Sequence, residues 1–107
     1  METFKEFIKS QREKTGLNQS DFGQRLGIIM TDVSKIENGR KKFPFKKLET
    51  LASFINIDFE LVKNKFVADK IVDEVYKYEC TNKVYSVAEK QHNYLLQKNA
   101  EQAKLKL

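Results

Sequence analysis

Hydrophobic residues recur every three or four positions through most of the chain, a spacing that places their side chains on one face of an α-helix. The first such segment begins after Thr3, which can form a capping box with Glu6, and it stops at Gly16. A second segment begins after Asn18, a favourable N-cap residue, and closes at Gly27. The pattern therefore predicts two short helices joined by only a few residues.

The same spacing indicates three further helices in the N-terminal part of the chain. One covers residues 30–38 and ends at Gly39, and the next covers residues 45–56 after Pro44, a residue that favours a helix start. Asp58 caps a fifth helix. The side chains expected to face the core of these helices are Phe4, Phe7, Ile8, Leu17, Phe22, Leu26, Ile28, Val33, Ile36, Leu48, Leu51, Ala52, Ile55, Leu61 and Val62.

Beyond the fifth helix the pattern changes. Residues 67–78 suggest another amphipathic helix, and apolar residues recurring from Val84 to Leu95 predict a long final one. We therefore expect an all-α protein. A five-helix domain would occupy residues 1–66, and two C-terminal helices would follow within residues 67–107.

The charge of the chain is distributed unevenly. Its 107 residues carry a formal net charge of +5. Residues 1–66 hold 13 Lys and Arg against 9 Asp and Glu, whereas residues 67–107 hold 7 against 6. Within the stretch 35–47, six basic residues are opposed only by Glu37. A localised basic surface is typical of proteins that bind nucleic acids.

Several classes of protein fit the sequence poorly. The single cysteine, Cys80, excludes an intramolecular disulfide framework, and no apolar run approaches the roughly 20 residues that span a membrane. The N-terminus is charged and lacks the apolar segment of a signal peptide. His92 has no partner at metal-ligand spacing, and no nucleophile–base arrangement is present. We expect a cytoplasmic protein with no catalytic residue, no metal and no cofactor.

Two short helices joined by a tight turn form a helix-turn-helix, whose second helix enters the major groove of DNA. The side chains near the start of that helix that can read bases are Met30, Thr31 and Lys35. Gln19, at the start of the preceding helix, can bond a phosphate or brace the reading helix. The residues suited to the DNA backbone are Gln19, Asn38, Arg40, Lys41 and Lys42.

Three segments, TGLNQSDFGQRLG, VSKIENGRKKFP and LETLASFINID, occur in an order that resembles the Cro and lambda-type repressor helix-turn-helix family, also called XRE-type. The resemblance covers roughly residues 3–66. It implies a lambda-repressor-like DNA-binding domain with the same reading and backbone positions. It also implies a structural ion pair between Arg12 and Glu37 beneath the reading helix.

The sequence departs from the family pattern in four places. Ile29 stands where Ser or Thr usually caps the reading helix, so we expect Thr31 or Asp32 to take that role. Gly23 replaces an Ala, at a cost of about 1 kcal/mol in helix propensity. Asp32 adds a negative charge near the DNA, and Met30 replaces a polar reader.

These features predict a sequence-specific regulator of transcription that binds double-stranded DNA. We expect a dimeric repressor on a palindromic operator, and no enzymatic activity. The alternative is an antitoxin that binds its own operator and neutralises a partner protein through residues 67–97. A third hypothesis is that the protein has lost DNA binding and serves only as an adaptor. The apolar positions of residues 67–97 fit either an extension of the monomer core or a dimer interface.

Overall fold

The computed structural model describes residues 1–105, and this part of the chain contains helices and no strand. The α-helices are α1 (Phe4–Thr15), α2 (Gln19–Leu26), α3 (Met30–Glu37), α4 (Leu48–Ile55), α5 (Phe59–Lys77) and α6 (Lys83–Leu105). A 3-10 turn, Phe45–Lys47, leads directly into α4. The predicted all-α class is confirmed.

The first two helices begin and end at the predicted residues. Thr3 and Glu6 form the capping box, in which the Thr3 hydroxyl accepts from the Glu6 N–H and the Glu6 carboxylate accepts from the Thr3 N–H at 3.1 Å. The Asn18 side chain accepts from the N–H of Asp21 at 2.8 Å. Gly16 then ends α1 in the left-handed conformation, with a φ of 75°. Each of these bonds satisfies a backbone group that a helix end leaves unpaired.

The chain divides into two compact units, Met1–Lys70 and a second that begins at Ile71. The first unit, called unit 1, has a continuous hydrophobic core. Its buried apolar side chains are Phe4, Phe7, Ile8, Phe22, Leu26, Ile28, Val33, Ile36, Phe43, Leu48, Leu51, Ala52, Val62 and Phe66. Burial of this apolar surface is the main favourable term that holds α1–α5 together.

The predicted fifth helix and the predicted helix over residues 67–78 are one helix, α5. No Gly or Pro interrupts the sequence between Phe59 and Lys77, so nothing in it ends the first segment. Two contacts within unit 1 join α5 to the start of α1. Phe66 is buried against Phe4 with ring centroids 5.4 Å apart, and the Asp69 carboxylate accepts from the N–H of Phe4 at 3.2 Å.

Three other expectations were wrong in detail. Leu61 is 50% exposed, because α5 turns Val62 and Phe66, four residues apart, toward the core. Ile55 is only partly buried at the end of α4. The segment after Pro44 begins as a 3-10 turn, and α-helical geometry starts only at Leu48.

The second unit, called unit 2, contains the end of α5 and the whole of α6. None of its residues up to Leu105 is buried. Between the two helices Glu79 adopts a positive φ of 53° in a turn. Among residues 1–105, no helix is both long and apolar enough to cross a membrane.

Candidate nucleic-acid interface

The turn between α2 and α3 is tight because two glycines allow it. Gly27 ends α2 with a φ of 71°, in the left-handed region that glycine adopts without strain. Gly23 lies inside α2, and its carbonyl accepts from the Ile28 N–H at 2.8 Å. A Cβ atom at Gly23 would lie 2.2 Å from the Ile28 carbonyl oxygen. Packing therefore explains why Gly23 replaces the Ala that is usual in the family. The turn folds back onto the position that the methyl group of Ala would occupy.

Helix α3 has a buried face and an exposed face. Val33 and Ile36 point into the core beside α2. On the other face Met30 is 53% exposed, and Thr31 and Lys35 are also exposed. The three predicted base-reading residues therefore lie on the solvent side of a helix whose opposite side is anchored in the core.

A buried polar network fixes the end of α3 to α1 and α2. Glu37 is buried, and its carboxylate accepts two bonds from Arg12, from Nε at 2.7 Å and from Nη2 at 3.0 Å. Gln19 donates a third bond at 3.2 Å, and Arg12 also reaches the Leu17 carbonyl at 3.0 Å. The hydrogen bonds that Arg12 donates to the Glu37 carboxylate raise the pKa of Arg12. Such bidentate pairs have a defined geometry, so the network sets the position of α3.

Gln19 is thus held in the bracing role that the sequence offered as one of its two options. Its side chain is partly buried and bonded to Glu37, at the start of α2. Glu37 links this residue directly to α3. The start of α2 and the end of α3 are coupled through one carboxylate, a connection that residue spacing alone did not specify.

The start of α3 differs from the expectation. Ile29 is the N-cap residue and provides no side-chain hydrogen bond, and neither Thr31 nor Asp32 replaces it. The Asp32 carboxylate instead accepts from Lys41 Nζ at 2.8 Å. Lys41 follows α3 by four residues, so this ion pair links the first turn of the helix to the loop beyond its end. Sequence reasoning missed the pair because it joins residues nine positions apart across a loop.

The basic loop after α3 is exposed at its tip and tied at both ends. The N–H groups of Arg40 and Lys41 both donate to the Lys35 carbonyl, at 2.8 and 3.3 Å. Phe43, at the other end, is buried with its ring centroid 5.9 Å from that of Phe4. The predicted backbone residues on this loop are Asn38, Arg40, Lys41 and Lys42, and all of them are exposed.

Phe43 was missed as a core residue. It lies in a run of basic residues whose composition indicated a solvated loop. Its burial depends on Phe4, 39 positions earlier, and only a tertiary contact reveals it.

Among residues 1–105 there is no cluster of three or more side chains suited to hold a metal ion.

Comparison with known proteins agrees with this arrangement. A family model described as helix-turn-helix matches residues 8–62, which include α2 and α3. The ImmF control region 10 kDa protein of Bacillus phage phi105 is 38% identical over 56 residues. The aligned segment covers 52% of this chain and 62% of the phage protein, so the chain spans less than two thirds of that relative. This chain belongs to the Cro and lambda-type repressor, or XRE-type, helix-turn-helix family.

Proposed function

We propose that the protein is a sequence-specific transcriptional regulator that binds double-stranded DNA and acts as a dimeric repressor. The observation that carries the proposal is the exposed face of α3, which presents Met30, Thr31 and Lys35 while the core and the Arg12–Glu37 pair hold the other face. A rigid helix with an exposed polar edge matches the requirements of major-groove reading.

The three side chains differ in the base edges that they can recognise. Lys35 can donate to the O6 and N7 acceptors of guanine, and the Thr31 hydroxyl can donate or accept. Met30 offers an apolar surface to the methyl group of thymine. Together they give α3 enough chemical variety to distinguish one base sequence from another.

Phosphate contacts on either side of α3 would supply affinity and orientation. Arg40 and Lys42 lie on the exposed loop, Asn38 is the C-cap of α3, and Gln19, which also donates to Glu37, starts α2. Such contacts release counterions and make the affinity fall with salt. They do not themselves carry base information.

The name of the phage relative refers to a control region. We infer a related role for this chain, as a repressor of transcription from a nearby promoter. A compact domain that occupies the major groove at a promoter blocks access by simple occupancy, which needs no enzymatic activity.

A titration with labelled DNA from the region upstream of the gene that encodes this protein, called upstream DNA below, tests DNA binding directly. Fluorescence anisotropy at two salt concentrations should show binding that weakens as salt rises. Lys35→Ala and Arg40→Ala should each weaken binding by about fivefold or more, as loss of one base or phosphate contact implies. Lys90→Ala, which removes the same charge from the exposed helix α6, is the matched control and should bind like the wild type. Absence of binding at low salt, or equal effects of all three variants, would contradict the proposal.

Unit 2 supports the dimeric part of the proposal. Its helix α6 has no buried side chain, although apolar residues recur along it. An amphipathic helix gains most of its stability by covering its apolar stripe. We infer that a second copy covers this stripe, since a two-fold dimer suits a palindromic operator.

Light scattering of the full chain tests this assignment. Leu95→Glu should convert the dimer to a monomer, because it places a charge in the apolar stripe of α6. Leu61→Glu is the matched control, since Leu61 is 50% exposed on unit 1 and Leu95 is 47% exposed; it should remain dimeric. A monomeric wild type would contradict the dimer and favour the antitoxin alternative, in which the same stripe binds a partner protein.

A further inference from the structure

The ion pair between Asp32 and Lys41 joins two parts of the proposed DNA interface. Asp32 lies in the first turn of α3, and Lys41 lies in the basic loop after it. Lys41 Nζ is 2.8 Å from Asp32 Oδ2, with the side chains 48% and 25% exposed. The neighbouring Arg40 makes no ion pair within residues 1–105. The two adjacent basic side chains therefore differ in what they already contact.

The negative charge of Asp32 stabilises the start of α3. The side chain of the N-cap residue Ile29 offers no acceptor to the N–H groups in the first turn of α3. A negative charge in the first turn interacts favourably with the helix dipole, and this offsets part of the stability that a side-chain cap would provide. The same carboxylate, however, follows Met30 and Thr31 on the helix proposed to face DNA, where phosphates repel it. The start of α3 benefits from the charge, and DNA binding requires that it be neutralised.

We propose that Lys41 acts in the DNA complex as the counterion of Asp32 and not as a phosphate contact. It is a positioning residue, because it allows α3 to bring a carboxylate close to the DNA. This inference rests on the proposed function and refines its contact set. Phosphate contacts from this loop would come from Arg40 and Lys42 and not from Lys41.

A scan of single DNA phosphates tests the assignment with the full-length protein. The probe is the shortest upstream fragment that the wild type binds, with one phosphate at a time replaced by neutral methylphosphonate. When a side chain contacts a given phosphate, removal of that side chain abolishes the effect of the replacement. Arg40→Gln should abolish the effect at one phosphate, whereas Lys41→Gln should abolish it at none.

Asp32→Asn provides the converse test, because it releases Lys41. This variant should bind about fivefold more tightly and should gain a newly sensitive phosphate, as expected for one added contact. Adding Lys41→Gln to Asp32→Asn should remove that sensitivity. Lys41→Arg should keep wild-type affinity, because it keeps the charge beside Asp32.

The results separate this inference from the proposed function. If Lys41→Gln abolishes the effect at a phosphate in the wild-type background, Lys41 is a phosphate contact and the inference is overturned while DNA binding stands. If Asp32→Asn creates no newly sensitive phosphate, the inference is also overturned. If the wild type binds no upstream fragment, the proposed function itself fails. Circular dichroism of each variant checks that these exposed substitutions leave the fold intact.

Discussion

Unit 1 and unit 2 are both mainly helical, but their side chains differ in burial. Unit 1 encloses a continuous core, and its helices are fixed by caps and by the Arg12–Glu37 pair. Unit 2 has no buried residue up to Leu105, although α6 is the longest helix described. The two types of aromatic residue also lie in different parts of the sequence. Every Phe lies at or before residue 66, and every Tyr lies at or after residue 76. The comparison teaches that helical periodicity alone does not distinguish a helix that builds a core from one whose apolar face remains uncovered.

The largest effect should come from the core of unit 1. Leu51→Ala removes a side chain with 0% exposure and should cost about 4 kcal/mol of unfolding free energy, from lost burial and the cavity left behind. Leu96→Ala is the matched change in unit 2, at a leucine that is 56% exposed and lies outside the apolar stripe of α6, and it should cost less than about 0.5 kcal/mol. Urea unfolding followed by circular dichroism measures both. Similar losses for the two variants would show that the difference in burial does not set stability.

The next effect should come from the buried ion pair. Arg12→Ala leaves the Glu37 carboxylate buried with only Gln19 as a partner, and it should cost about 3 kcal/mol. The double variant Arg12→Met with Glu37→Met removes both charges and should recover much of that loss. Thermal and urea unfolding of the two proteins make the comparison. Equal stability of the single and double variants would mean that the unpaired carboxylate is not the cause.

Gly23 gives a test whose sign opposes helix propensity. Alanine favours a helix by about 1 kcal/mol over glycine. We nevertheless expect Gly23→Ala to destabilise unit 1 by about 2 kcal/mol, because the added Cβ would lie 2.2 Å from the Ile28 carbonyl oxygen and the backbone must move. Ser20→Ala, on the exposed side of the same helix, is the control and should stay within about 0.5 kcal/mol of the wild type. A stabilised Gly23→Ala protein would show that the turn relaxes freely.

The smallest effect concerns the capping box of α1. Hydrogen bonds from Thr3 lower the pKa of Glu6. A carboxylate whose pKa is lowered by folding stabilises the protein above its ordinary pKa, and this contribution is lost as pH falls through the folded pKa. The wild type should therefore melt slightly above Glu6→Gln near neutral pH, and the two melting temperatures should converge in acid. A difference that is constant with pH would exclude the ionised carboxylate as its source.

The sequence predicted local features well, because they depend on neighbouring residues. The caps at Thr3 and Asn18, and the stops at Gly16 and Gly27, are all present. Apolar spacing also identified most of the core, since a short amphipathic helix has only one apolar face that it can turn toward the core. Arg12 and Glu37, which the family resemblance placed together, are 2.7 Å apart.

The features that were missed depend on contacts between distant residues. Phe43 is buried by Phe4, and no local pattern in a basic loop indicates that. The burial of Phe66 fixes the middle of α5 and joins two predicted helices into one. The Asp32–Lys41 pair required the three-dimensional path of a loop. The roles of the exposed residues in DNA binding stay predictions, because exposure shows availability and not a contact.

DNA binding by α3 is tested directly by an experiment that maps the contact with DNA onto the two units. Backbone amide signals of the ¹⁵N-labelled full-length protein are followed by NMR as upstream DNA is added. We expect shifts concentrated at Gln19, in residues 30–35 and in residues 38–42, with the amides of residues 83–105 changed little. Shifts centred on α6, or no shifts at any amide, would contradict the claim that α3 of unit 1 is the surface that binds DNA.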